Sequence, residues 1–343
     1  MNSFLATNLP IIQAPMAGVQ DSKLTIAVSA AGGLGSLPCA LLSINELRAE
    51  LNAVTQQSDK PFSANFFCHQ PPEINPDREA KWRAELKPYF AEFAINVDSI
   101  PTGVKWEPFN HQMADVLEDY KPAVISFHFG LPSADLVKRV KSWGSTIIAS
   151  ATTVAEAQWL EANGADGIIA QGLEAGGHRG MFLSEDLTTQ VGTFCLLPQI
   201  VKNVKLPVIA AGGIADAAGV AVAISLGASA VQVGTAYLLC TETNTTQIHR
   251  TAIKSEASRH TAITNLFSGR PARSIVNRIM REIGPISQNT SAFPLALTAI
   301  SAVKKQAESE GIRDFSSLWC GQNATGCREV SAAEMTTALA AKL

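Results

Sequence analysis

Short apolar runs alternate with longer amphipathic stretches over the first two thirds of the chain. The runs at 10–14, 33–37, 62–67, 123–127, 146–149, 167–170, 207–210 and 230–233 predict eight strands. Most are apolar nearly throughout rather than at every second position, which is the pattern of strands covered on both faces. Between them, 21–31, 43–54, 133–141, 154–162, 193–202 and 216–226 predict helices. Asp21 or Ser22 is placed to cap the first, and Ser43 with Glu46 three residues on fits a capping box for the second. Eight strands with helical stretches between most of them predict an α/β fold in which parallel strands close into a (β/α)8 TIM barrel. The competing architecture is an open doubly wound sheet. The count of eight, and the lack of a G-x-G-x-x-G after the first strand, favour the barrel.

Two stretches break the rhythm. Residues 69–109 are rich in proline and aromatics and too long for an ordinary loop between strand and helix. Residues 236–314 carry helical patterns at 245–257 and 292–309. The expected division is therefore a barrel built from 1–68, 110–235 and 315–343, with 69–109 and 236–314 as excursions that form a smaller helical lid over its mouth.

Composition narrows the class. The 343 residues are 46% hydrophobic and 17% charged, which excludes a disordered chain. A net charge of -3 gives no electrostatic case for nucleic acid or an anionic membrane. No uncharged apolar run reaches the ~18 residues a membrane span needs. Six cysteines without a C-x-x-C pair, and no export signal, point to reduced thiols in a cytoplasmic protein.

Chemistry concentrates where strands end. Gln171-Gly172-Leu173-Glu174-Ala175-Gly176-Gly177-His178-Arg179-Gly180 follows the sixth strand. Glycines let backbone approach a ligand, and His178 offers a proton acceptor near neutral pH. Gly212-Gly213 ends the seventh strand, and Gln232-Val233-Gly234-Thr235 the eighth. In barrels the loops after these strands often hold a phosphate through backbone N–H groups. His128 ends the fourth strand and either shapes the pocket or touches substrate. Arg179 either holds an anion or is solvated, and Glu174 is read as a loop carboxylate rather than an acid. The histidines have no metal-ligand spacing, and no G-x-S-x-G supports a serine nucleophile. The residues by themselves give a barrel that binds a phosphorylated ligand beside a histidine.

A wider set of motifs occurs in one order: Gln13-Ala14-Pro15-Met16-Ala17-Gly18, Ala64-Asn65-Phe66-Phe67, the loop from Gln171 to Gly180, Ala211-Gly212-Gly213-Ile214, Gln232-Val233-Gly234-Thr235, Ser268-Gly269-Arg270-Pro271-Ala272-Arg273 and Leu318-Trp319-Cys320-Gly321-Gln322. The series resembles the nitronate monooxygenase family over nearly the whole chain. The resemblance implies a flavin mononucleotide (FMN) in the barrel, with the backbone of Ala14, Pro15 and Met16 along its ring. Asn65 and Gln171 would hydrogen-bond the flavin, Gly176 would sit in its loop, and Gly212, Gly213, Gln232, Val233, Gly234 and Thr235 would hold its phosphate end. His178 would be the catalytic histidine, as base for a nitroalkane or as the group that positions an ionised nitronate. The implied reaction passes one electron from an alkyl nitronate to the flavin. Oxygen then completes the conversion to a carbonyl compound and nitrite, a detoxification if the substrate is propionate 3-nitronate. The partners implied are the nitronate and O2, and a homodimer is compatible with this reading.

The resemblance is looser at the substrate pocket, where the family pattern has tyrosines. This chain has only Tyr89, Tyr120 and Tyr237, carries Phe293 in the segment 288–297, and has Asn323 where the pattern has glycine. Two other functions compete: an NAD(P)H-dependent flavin reductase of quinones or enoyl thioesters, and a flavin-binding protein without catalysis.

Overall fold

The computed structural model describes residues 4–101, 103 and 106–343. Residues 1–3 of the barrel segment and 102, 104 and 105 of the first excursion lie outside the described residues. The eight expected strands all form: β1 (Ile11–Gln13), β2 (Gly35–Pro38), β3 (Phe62–Phe67), β4 (Val124–His128), β5 (Thr146–Ala151), β6 (Gly167–Gln171), then, after a short β7 (Gly177–His178), β8 (Val208–Ala211) and β9 (Ala230–Val233). All pairings among the eight are parallel, in the order β1-β9-β8-β6-β5-β4-β3-β2. A parallel bridge between Ile12 and Leu34 joins the two ends, with Leu34 N donating to Ile11 O at 2.8 Å and Gln13 N to Leu34 O at 3.0 Å. The sheet is therefore a closed barrel rather than an open doubly wound sheet.

The near-continuous apolar runs follow from the two layers each strand must cover. Side chains alternate across a strand. Ile11, Ile147, Ile168, Val208 and Val231 point outward into one cluster with the surrounding helices. Their chain neighbours Ile12, Ile148, Ile169, Ile209 and Ala230 fill a second cluster inside the barrel. The helices begin as their caps dictate. Asp21 accepts from Lys23 N, and Ser43 and Glu46 form a reciprocal capping box.

A third apolar cluster lies apart from these two. Trp82, Leu86, Tyr89 and Phe90 of the helix Pro76–Glu92 pack with Ile279, Met280, Ala299, Ile300, Val303 and Phe315. Trp82 Nε1 donates to Ala296 O at 3.2 Å, which ties that helix to the helix Ala296–Ser309. Residues 236–314 also carry β10 (Thr261–Thr264) and β11 (Ala272–Ile275), which pair antiparallel. β11 pairs on its other side with β7, so the loop bearing His178 is the third strand of a small sheet. No helix is long and apolar enough to cross a membrane among the described residues.

Candidate active site

Within the barrel, the same inward register that is aliphatic at mid-strand turns polar two residues later. Val124 gives way to Ser126 and His128, Ile148 to Ser150, Ile169 to Gln171, and Ala230 to Gln232, with Asn65 on β3 at the same level. The barrel core thus ends in the floor of a cavity of about 360 Å³ at the C-terminal ends of the strands, where barrel sites are built. Ala14, Pro15, Met16, Asn65, His128, Gln171, Gly176, His178, Gly212, Gly213, Gln232, Gly234 and Thr235 all line this one cavity. Val233 does not. Strand alternation turns its side chain into the outer core, and its carbonyl accepts from Ala14 N at 2.8 Å.

The loop after β6 is held from within. Gln171 donates from Nε2 to His178 O at 3.0 Å and accepts from Gly180 N at 2.7 Å. His128 Nε2 lies 3.1 Å from the same His178 carbonyl, and its Nδ1 lies 3.0 Å from Ser150 Oγ. A carbonyl only accepts, so His128 carries its hydrogen on Nε2 and takes the serine hydrogen at Nδ1. His128 is therefore a buttress of the His178 backbone. Arg179 neither meets solvent nor faces a ligand. It is fully buried and donates to Gly172 O, Gln171 O and Gln190 Oε1 at 2.7, 2.8 and 2.9 Å. Glu174 accepts from Thr193 N and Oγ1, capping the helix that follows, so it is a structural carboxylate.

At the far end of the cavity, Gly213 has a backbone φ of +73°, in the left-handed region that favours glycine. The amides of Gly213, Gly234 and Thr235 donate to no acceptor among the described residues. The segment from Trp319 to Asn323 crosses here as a strap: Gly321 N donates to Thr235 Oγ1 at 2.9 Å, Gln322 N to Glu174 O at 2.9 Å, and Asn323 Nδ2 to Gly213 O at 3.1 Å. Gly176 is required by this strap, because a Cβ there would lie 2.6 Å from Gly321 N. Unpaired amides at one end and an open groove beside them fit a phosphate with a flat ring system extending from it.

At the near end stands His178. Its Nε2 lies 2.8 Å from Ser268 Oγ. Trp319 and Phe293 each have their ring centroids 5.5 Å away, Phe129 6.0 Å and Phe67 6.2 Å. By exposure the residue is only half-buried, yet these rings displace its water. Burial first, then the nearby His128 and Arg270, lower its pKa from 6.5 to about 3. His128 falls to about 4, burial again leading. Both imidazoles are neutral at physiological pH.

This architecture recurs in known proteins. The family model for nitronate monooxygenase matches residues 1–342. The chain belongs to the nitronate monooxygenase family. It is 41% identical to a nitronate monooxygenase of Paraburkholderia phytofirmans, over 99% of this chain and 93% of that one. It is 40% identical to one from Pseudomonas aeruginosa, over 99% and 97%. The crystal structure of a nitroalkane oxidase from Streptomyces ansochromogenes superposes with a TM-score of 0.90 at 35% identity, covering 100% of this chain and 98% of that one. The protein is thus an oxidoreductase of the nitronate monooxygenase family.

Several residues that shape this nitronate monooxygenase site were not singled out as site residues from sequence. Gln20, 8% exposed, bonds Gln13, accepts from Met16 N at 2.9 Å and donates to Ser36 O at 2.8 Å, which fixes the turn at Ala14-Pro15-Met16. Lys304 lines the cavity from the helix Ala296–Ser309, its ammonium 3.3 Å from Ser317 Oγ and 3.9 Å from Glu308. Ser268, Trp319 and Phe267 complete the wall around His178. The three tyrosines lie elsewhere, bonded to Glu282, Asn52 and Thr336.

Proposed function

We propose that this protein oxidises alkyl nitronates with O2 to a carbonyl compound and nitrite, using FMN bound along the barrel cavity. The observation that carries the reading is the continuity of that cavity, from unpaired amides at Gly213, Gly234 and Thr235 to the neutral imidazole of His178. In this reading Gly212, Gly213, Gly234 and Thr235 hold the phosphate, and Ala14, Pro15 and Met16, with Asn65 and Gln171, border the ring. The Asn65 amide is anchored by Ser126 Oγ at 2.9 Å, which aims the residue. A bound flavin supplies the one-electron oxidation of the nitronate. The protein binds and orients the substrate, and its aromatic wall excludes water.

His178 is a weak proton acceptor in this setting, since its surroundings favour the neutral ring. That supports the ionised nitronate, rather than a neutral nitroalkane, as the form turned over. Lys304 supplies a cation on the same cavity, which supports a substrate with a second anionic group such as propionate 3-nitronate, and a detoxifying role. Residues 69–109 and 236–314 act as the lid over the barrel. The six free thiols support a reducing, cytoplasmic setting.

The test is direct. Purified protein should carry one flavin per chain and release nitrite from ethyl nitronate under oxygen. Flavin-loaded protein that releases no nitrite, yet bleaches rapidly with NADH or NADPH under anaerobic conditions, would sink the proposal.

A further inference from the structure

A neutral imidazole carries one hydrogen on either of two nitrogens, and the two forms offer opposite chemistry to a ligand: one a donor, the other a lone pair. In His178 the Nε2 side is closed by Ser268, 2.8 Å away. Nδ1 has no hydrogen-bond partner among the described residues and is not sealed inside the protein, and the residue lines the cavity. Whatever the serine does at Nε2 therefore decides what Nδ1 offers to the substrate.

Ser268 is built to hold one position. It is 2% exposed. Gly269, the next residue, has φ +88°, and a Cβ on it would lie 2.3 Å from Ser291 O, so the turn admits only glycine. Gly269 N donates to Asn265 O at 2.8 Å. Asn265 is itself clamped to Ser287, donating to its carbonyl at 2.8 Å and accepting from its amide at 3.0 Å. The serine oxygen then has three neighbours: His178 Nε2 at 2.8 Å, Arg270 O at 3.3 Å and Arg270 N at 3.4 Å.

The serine has one hydrogen to place. The 2.8 Å contact has the usual length of a hydrogen bond from a hydroxyl, whereas 3.3 Å to the Arg270 carbonyl is long. With the hydrogen on the short contact, Arg270 N–H becomes the donor to Ser268 Oγ, and the oxygen both gives and accepts. The opposite placement would aim a nitrogen lone pair at an anionic substrate. We propose that Ser268 donates its hydroxyl hydrogen to His178 Nε2 and thereby fixes the Nδ1–H tautomer, which presents a hydrogen-bond donor to a nitronate oxygen. His128, whose hydrogen is on Nε2, has the opposite form. The pair shows how one site sets two tautomers, each through a serine at the nitrogen that accepts.

Ser268 is thus a positioning residue that acts through His178, and this role rests on the nitronate reading of the site. Because His178 is held neutral, only one of its ring nitrogens carries a hydrogen, and the partner at Nε2 settles which. It also narrows the substrate class: a donor at Nδ1 favours ionised nitronates, and a neutral nitroalkane with its C–H toward the same nitrogen gains nothing.

The experiment is long-range 1H–15N correlation on flavin-loaded protein labelled in its histidines, with the His178→Asn spectrum assigning the resonance. The expected result is hydrogen on Nδ1 in the wild type and in Ser268→Thr, with mixed tautomers in Ser268→Ala. In steady-state assays Ser268→Ala should raise KM for ethyl nitronate about tenfold with kcat nearly unchanged, and Ser268→Thr should restore it. Hydrogen on Nε2 in the wild type, or an unaltered tautomer in Ser268→Ala, overturns the proposal. Because the spectrum needs no turnover, a wild type that shows the Nδ1–H form but releases no nitrite would count against the nitronate reading and not against the role of Ser268.

Discussion

The two ends of the cavity are built by different means. The Gly213–Thr235 end presents main-chain amides that donate to no acceptor among the described residues, and Gly213 is held at a positive φ that favours glycine. The His178 end is walled by side chains on segments scattered from Phe67 to Trp319. Backbone recognition leaves a local trace in sequence, a glycine pair at a strand end. A side-chain wall assembled from distant segments leaves none until the fold brings it together.

The comparison can be broken at the backbone end first. Gly176→Ala puts a Cβ against main-chain atoms of Gly321 and Cys320, which cannot move aside cheaply. Complete loss of bound flavin is expected, read from the absorbance ratio of the purified protein; full retention would show that the strap is not part of the cofactor cradle. At the other end, in the proposed reading, His178→Asn removes a substrate contact but no flavin contact. It should keep full flavin absorbance and lose about 100-fold in kcat/KM for ethyl nitronate, the scale of one preorganised donor. Equal turnover in the variant would remove His178 from the chemistry.

Lys304→Met sharpens the substrate side. A charge-assisted bond to a carboxylate is worth about tenfold in KM. That loss should appear with propionate 3-nitronate and be missing with ethyl nitronate; the same change for both would assign Lys304 a structural role. A last prediction concerns pH and reads stability rather than activity. Burial lowers His69, His128 and His249 to about 4 and His178 to about 3, from 6.5. Below pH 6.5 the unfolded chain binds protons that the folded one refuses. Stability is therefore complete above pH 6.5 and falls as pH drops toward 4, by about 1.4 kcal/mol per pH unit for each such histidine. Denaturant titrations at pH 7.5 and 5 measure it, and His69→Gln should flatten the slope; an unchanged midpoint would contradict the burial of these rings.

The same contrast explains what could be read from sequence. Ile168-Ile169 and Val208-Ile209 announce their strands because both faces of a barrel strand are covered by apolar layers. The eight strands were legible to within about two residues for that reason. The helix Pro76–Glu92 was not picked out, although Trp82, Leu86, Tyr89 and Phe90 lie on one helical face. Pro88 within it, and the prolines before it, mask the period. β10 and β11 also escaped, since their partners are each other and a two-residue strand, which no local pattern reveals. Gly213 and Gly234 are at the cavity as their motifs suggested, whereas Val233, in the same motif, faces away because β alternation sends every second residue outward. Arg179 looked like a surface or anion-binding cation. Its three acceptors, two of them main-chain carbonyls, exist only once the loop has folded.

The strap from Trp319 to Asn323 bears on the order of events in the cell. A chain made from its N-terminus has completed the last barrel strand at Val233 long before the ribosome reaches Gly321. Until then Thr235 Oγ1, Glu174 O and Gly213 O lack the partners that close over them. The far end of the pocket is thus finished by one of the last segments of the chain to be made, which closes it with three hydrogen bonds to parts made much earlier.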